Sequence, residues 1–232
     1  MKRALLALVG SIFTITQIEA QELDLFKGDD KLTSKWIAED QSAEMSATLR
    51  GDTVEVIAPK GLTIWYDMKM KGDYEIRYRV KMVMEGGKSD RLSDLNCFWG
   101  ASDPLYPKDL FARSESRGGS FGNYNALDLF YVGYGGNNNT STRFRRYFGE
   151  FAESAPEKNR PVVKEYDQSE DLLKPNEWMD IVIRVEGGRT TYSVDGKELF
   201  NHPVEKGQER GYFGFRLLRN HTIFTDFRVT KL

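Results

Sequence analysis

From residue 74 to residue 84 the apolar side chains Tyr74, Ile76, Tyr78, Val80, Met82 and Met84 take every second position. Glu75, Arg77, Arg79 and Lys81 lie between them. A helix would scatter this set around its circumference, whereas an extended strand sends it to one face. The repeat returns in Met179, Ile181, Ile183 and Val185, in Phe213, Phe215 and Leu217, and in Ile223, Thr225, Phe227 and Val229. Turn chemistry agrees with it. Val194-Asp195-Gly196-Lys197 carries the Asp-Gly pair of a two-residue hairpin, which predicts strands over residues 190–194 and 197–200. Gly86-Gly87 and Gly187-Gly188 close other strands. No segment keeps a helical period for three turns. The pattern predicts an all-β fold, a two-sheet antiparallel β-sandwich.

The N-terminus reads differently. Lys2 and Arg3 precede a mostly apolar run over residues 4–18, and the small Ala20 stands before Gln21. That is the order of a cleavable secretory signal. Gly10, Ser11, Thr14, Thr16 and Gln17 make the run too short and polar to span a bilayer core of ~30 Å. We expect residues 1–20 to be removed and residues 21–232 to form a single domain, periplasmic or secreted. Removal of Lys2, Arg3 and Glu19 leaves 31 basic and 34 acidic residues. That balance lacks the broad basic character of nucleic-acid binders. Cys97 is the only cysteine, so no intrachain disulfide forms. A mature chain of about 210 residues buries enough surface to hold without one.

Three connections are long, over residues 86–94, 102–125 and 149–176. Loops beyond about a dozen residues in a compact domain are usually functional or disordered. The third is charged and reads as a surface excursion. The second is rich in Arg, Tyr, Asn and Gly.

Several motifs now fall into an order: Leu25-Phe26, Asn176-Glu177-Trp178 before an apolar strand, the Val194-Asp195-Gly196 hairpin, then the closing residues 211–216 and 225–229. This order resembles the concanavalin A-like lectin/glucanase jelly rolls over most of the chain. The centre is more particular. Residues 94–99, 119–124, 131–137 and 142–147, with Arg219-Asn220-His221-Thr222, resemble an uncharacterised family of exported bacterial jelly rolls. That family is related in appearance to the YesU-like proteins that accompany pectin-degrading enzymes. The resemblance implies a setting of glycan degradation and brings no catalytic residue with it. Fold likeness alone assigns no reaction.

The residues themselves offer candidates. Arg113, Arg117, Arg143, Arg145 and Arg146 stand in the central segment against Glu115 and Asp128. A guanidinium grips a carboxylate or sulfate with two parallel bonds, which suits a uronate or sulfated sugar. Arg143 and Arg145 share one strand face; Arg146 takes the other. Tyr124, Tyr131, Tyr134, Tyr147 and Trp99 offer rings for stacking on a pyranose, while Phe130 and Phe144 are assigned to the core. The turn over residues 135–140 presents Asn137 and Asn139 to hydroxyls, and Asn123 and Asn220 extend the polar set. Of two histidines, His221 is the better general base, since an imidazole exchanges protons near neutrality. The expected catalytic group is His221, Tyr134 and Tyr147. The expected substrate-binding group is Arg117, Asn123, Tyr124, Tyr131, Asn137, Asn139, Arg143, Arg145, Asn220 and Trp99.

Other chemistries lack their residues. There is no Glu-x-Asp-x-x-Glu run to supply the paired carboxyls of a retaining glycosidase. No zinc, P-loop or dinucleotide motif is present. Acidic residues lack EF-hand spacing, so no metal and no cofactor is expected beyond an optional structural calcium. The first expectation is a lyase that cleaves a uronate-containing glycan by β-elimination. The alternatives are a non-catalytic carbohydrate-binding protein of the same fold and a glycoside hydrolase of unusual mechanism. The partner is an acidic glycan; nucleic acid and integral membrane association are not expected.

Overall fold

The computed structural model describes residues 35–232. The signal segment and the Leu25-Phe26 strand lie outside them. Twelve strands carry the fold among the described residues. They are β1 (Trp36–Asp40), β2 (Ser46–Arg50), β3 (Thr53–Lys71), β4 (Tyr74–Met82), β5 (Leu95–Ser102), β6 (Asp128–Gly135), β7 (Ser141–Tyr147), β8 (Val162–Tyr166), β9 (Trp178–Glu186), β10 (Arg189–Val194), β11 (Lys197–Pro203) and β12 (Arg210–Lys231).

Two long strands organise the rest. β3 and β12 pair antiparallel from Arg210↔Lys71 to Phe224↔Val54. The first half of β12 also pairs with β5, from Tyr212↔Ala101 to Arg216↔Asn96. Its second half pairs with β4, from Thr222↔Met82 to Lys231↔Tyr74. The two strands therefore run out of one sheet and into the other. The first sheet has the order β8-β7-β6-β5-β12-β3-β1, and the second β11-β10-β9-β4-β12-β3-β2. The crossing coincides with a register shift between Leu218 and Asn220, where Arg219 takes φ 51°. An extra residue in a left-handed conformation bends a strand in this way.

The alternation seen in the sequence becomes the sandwich core. Tyr74, Ile76, Tyr78, Val80 and Met82 of β4 pack with Met179, Ile181, Ile183 and Val185 of β9 and with Phe213, Phe215 and Leu217 of β12. The hairpin has Val194 opposite Lys197, with φ of 49° at Asp195 and 80° at Gly196. Positive φ at both central residues is what a type I′ turn requires. Residues 149–176 depart from expectation, because Val162–Tyr166 forms the edge strand β8 on β7. Its five largely exposed residues are too few to show a period. No helix among the described residues is long and apolar enough to cross a membrane.

A second apolar cluster lies on the other face of the first sheet. Trp65, Phe98, Leu129, Tyr131 and Tyr147 alternate with core residues on their strands, so they point away from the sandwich. Residues 103–127 fold over them as three short helical turns, burying Leu110, Tyr124 and Leu127 against the sheet. One carboxylate fastens this cover. Glu39 of β1, 3% exposed, accepts from Arg117 Nε at 3.0 Å and Nη2 at 2.6 Å, from Ser114 Oγ at 2.7 Å and from Tyr124 OH at 2.6 Å. A close backbone approach completes the fit. A Cβ on Gly61 of β3 would overlap the Gly119 carbonyl oxygen.

Breaking a buried ion pair from one side strands the other charge and costs about 3–5 kcal/mol. Glu39→Gln should destabilise the protein by about that amount, read as a lower urea midpoint. Limited proteolysis of the variant should cut first within residues 103–127; a cut elsewhere would place the cover's anchor in another contact.

Candidate functional site

The pairing register sets out the site. Thr63, Arg216, Asn96, Gly133, Arg143 and Glu165 are successive Cα partners across β3, β12, β5, β6, β7 and β8. They form one row on the covered face of the first sheet. The neighbouring row holds Trp65, Gly214, Phe98, Tyr131 and Arg145. Gly133 sits mid-row without a side chain, and the Tyr131 hydroxyl leans into the vacated space, 2.5 Å from where a Cβ would stand.

The cover stops short of part of this row and leaves a hollow of about 300 Å³. Gln41, Asp94, Asn96, Phe121, Tyr131 and Arg216 line it. Arg216 is 1% exposed. Its Nη1 donates to the Gly119 carbonyl at 2.8 Å, and its guanidinium lies 5.4 Å from the Phe121 ring and 5.5 Å from the Tyr124 ring. No carboxylate forms an ion pair with it, and Nε and Nη2 make no hydrogen bond among the described residues. Burial depresses the Arg216 pKa, with Tyr124, Tyr131 and Asp94 acting in the opposite direction. Asn96 Oδ1 is also buried without a partner. Buried polar groups are normally satisfied, and each exception calls for an explanation. Burial likewise pushes the Tyr131 phenol well up, while Arg216 and Arg145 pull it down.

Comparison with known proteins agrees with the architecture. A galectin-like protein of unknown function from Bacillus subtilis superposes with a TM-score of 0.64 at 11% identity, over 90% of this chain and 94% of that one. The carbohydrate-binding module CBM66 from Bacillus subtilis gives 0.53 at 11%, over 85% and 96%. An endo-β-1,3-glucanase from Pyrococcus furiosus gives 0.57 at 10%, over 90% and 92%. At these identities the likeness is one of fold, a β-sandwich of the lectin and glucanase kind. No curated protein matches the sequence. A family profile for a domain of unknown function, DUF6250, matches residues 56–227. The chain belongs to the DUF6250 family.

The DUF6250 structure separates the residues expected to form one catalytic group. His221 lies on the outer face of the second sheet, where Nε2 meets Glu55 Oε1 at 2.8 Å and Nδ1 meets Asp90 Oδ1 at 3.0 Å. Both ring nitrogens face carboxylates, leaving neither for a substrate proton. Tyr134 points into the sandwich core and its hydroxyl donates to the Leu172 carbonyl at 3.2 Å. Tyr147 is sealed beneath the cover beside Tyr131. Burial raises the pKa of both tyrosines. The three face three directions, so the expected convergence does not occur.

Several binding candidates serve the scaffold instead. Trp99 is in the core, its indole N–H donating to Thr190 Oγ1 at 2.9 Å. Tyr124 is held by Glu39 under the cover. Asn220 is fully buried and donates to the Ser93 and Asp94 carbonyls. Asn139 exchanges hydrogen bonds with the backbone of Leu173. Asn137 and Asn139 both adopt positive φ within the turn after β6, and the Asn137 amide oxygen is placed to accept from Arg143. Arg143 pairs with Glu165 at 2.8 Å, and Arg145 donates to the Arg160 carbonyl. Tyr131 does line the hollow, while Arg117 and Asn123 line a second one beside it.

Arg216, Asn96, Asp94 and Gln41 did not stand out as site residues in the sequence. The available signal was Arg216, a charge flanked by the core residues Phe215 and Leu217 on a strand whose outward face is covered. Among the described residues no cluster of three or more His, Cys, Asp or Glu is arranged to hold a metal ion.

Asp90 gives a pH test of the outer cluster. Burial would raise its pKa, but the Glu85 and Gly87 N–H groups and His221 bring it below the usual carboxylate range. A depressed carboxyl contributes stability above its unfolded pKa of about 3.9, and that contribution disappears as pH falls through the folded value. Wild type should therefore exceed Asp90→Asn in unfolding free energy at neutral pH, and the gap should close in acid. A gap independent of pH would exclude this role for Asp90.

Proposed function

We propose that this DUF6250 protein is an exported carbohydrate-binding protein that holds an acidic sugar in the Arg216 hollow. One observation carries the reading: a buried guanidinium with two unused donor atoms and, among the described residues, no carboxylate in ion-pair contact with it. Asp94 on the same wall pairs with Arg91 instead. A ligand carboxylate or sulfate supplies the missing acceptor, and the geometry of Nε and Nη2 suits two parallel bonds. Asn96, Gln41 and Asp94 offer the mixed donors and acceptors that sugar hydroxyls use, and the rings of Tyr131 and Phe121 offer an apolar wall. The carbohydrate-binding module and the glucanase among the similar folds support a glycan ligand. The resemblance of the central segment to an exported family related in appearance to the YesU-like proteins supports a pectin-like one. Export rests on Lys2, Arg3, the apolar run and Ala20.

Cleavage by β-elimination is the second reading, favoured by the placement of the Tyr131 hydroxyl in the same hollow as Arg216 and Asn96. Arg216 and Asn96 would bind the uronate carboxylate, and Tyr131, as phenolate, would take the adjacent C5 proton. The C4–O bond would break as the C4=C5 double bond forms, and the Tyr131 phenol would return the proton to the leaving oxygen. His221, Tyr134 and Tyr147 have no part in it. Burial holds the Tyr131 phenol in its protonated form, and a carboxylate paired with Arg216 would offset the cation that pulls its pKa down, which is why binding is put first.

The experiment is calorimetric titration with galacturonate, glucuronate, sulfated sugars and their neutral counterparts. Wild type should bind an acidic sugar and ignore its neutral counterpart, with affinity falling as salt rises. Arg216→Gln should weaken binding at least tenfold, about 1.4 kcal/mol, and Asn96→Ala should weaken it with the fold intact. Equal binding of acidic and neutral sugars, or an undiminished Arg216→Gln protein, would refute the proposal. Growth of an unsaturated-product absorbance on polyuronates, abolished in Tyr131→Phe, would promote elimination over binding.

A further inference from the structure

Beside the Arg216 hollow lies a second one of about 360 Å³, lined by Arg113, Ser116, Arg117, Asn123 and Asn125 on one side and by Ala152 and Glu153 on the other. The two hollows share one wall residue, Gly122. Nothing lies within 4 Å of the position a Cβ on Gly122 would occupy, and its φ is outside the left-handed region. Neither packing nor backbone conformation requires glycine there. A larger side chain there would project into open space on the wall that the two hollows share.

The second hollow differs from the first in charge. Arg113 is held by Asp103 through Nε at 2.7 Å and Nη2 at 2.8 Å, and Arg117 by Glu39 through Nε and Nη2. Both guanidinium charges are thus already balanced, and Glu153 adds a negative group. Two buried side-chain atoms of this lining remain without hydrogen bonds. Arg117 Nη1, on a side chain 3% exposed, stands 3.9 Å from Asp103 Oδ2 without bonding it, and Asn125 Oδ1 is buried with no partner. One is a donor and the other an acceptor, and a hydroxyl serves both. A second anion would find no uncompensated cation; a neutral, hydroxyl-bearing ring fits.

We infer that the two hollows are adjoining subsites for one oligosaccharide that crosses Gly122, with its acidic residue at Arg216 and a neutral residue at Arg117 and Asn125. The inference rests on the acidic-sugar reading of the first hollow. It adds that recognition extends over a linked pair of unlike sugars.

The test compares uronate monosaccharides with oligosaccharides released from pectin, glucuronoxylan and alginate, each titrated into wild type, Gly122→Leu and Asn125→Ala. Wild type should bind at least one oligosaccharide containing both acidic and neutral residues tenfold or more tightly than the free uronate. Asn125→Ala loses no hydrogen bond of its side-chain oxygen; it should keep wild-type affinity for the monosaccharide and lose most of the oligosaccharide advantage. Gly122→Leu should lose the same advantage by projecting from the shared wall, with thermal unfolding unchanged. Uronate binding by wild type with no gain for any oligosaccharide, or a gain that both variants keep, overturns the two-subsite inference and leaves the first hollow standing. Absence of binding to every acidic sugar overturns both.

Discussion

The buried carboxylate of Glu39 decides the character of this molecule. A sheet in a sandwich has one face for the core and one for solvent, and the outer face of the first sheet carries Trp65, Phe98, Leu129 and Tyr131. Left bare, those side chains would make an apolar patch of a kind monomers rarely expose. Residues 103–127 cover them, and Glu39 secures the cover through Arg117, Ser114 and Tyr124. Four donors around one carboxylate offset the desolvation that burying a charge entails. The cover in turn buries Arg216 and ends where the hollow begins, so the site is a product of the anchor.

The relation between sequence and structure is uneven for physical reasons. Strands such as Trp178–Glu186 were legible because a half-buried strand must alternate, and the Asp195-Gly196 turn because few dipeptides tolerate two positive φ values in succession. The edge strand Val162–Tyr166 was not, since an exposed edge imposes no period. The site was harder. Which residues stand opposite one another depends on register between strands far apart in the chain, and Arg216 meets Asn96 across such a pairing. His221 illustrates the converse. Asn220 and His221 are adjacent in sequence, yet one points inward to the Ser93 and Asp94 carbonyls and the other outward to Glu55 and Asp90.

Tyrosines misled for a related reason. An aromatic side chain fits a sugar and a protein core equally well, and only the layer to which it belongs separates the two. Tyr134, Tyr124 and Tyr147 belong to closed layers, whereas Tyr131 reaches the rim of an open one. Arginine content misled less. Its positions on the covered face, Arg143, Arg145 and Arg216, follow the strand parity, but Glu165 and the Arg160 carbonyl already engage the first two.

The sharing of β3 and β12 between the sheets has a consequence for how the chain matures. β12 is the last of the described strands, and it is the neighbour of β3, β4 and β5 at once. Neither sheet is continuous without it. Without the 22 residues of β12 the other strands hold hairpins such as β9–β10 but no closed sandwich. Long-range pairings of this type form slowly, because chain closure must precede any gain from contact. Completion of the fold therefore awaits the pairing of β12 with all three of its partners.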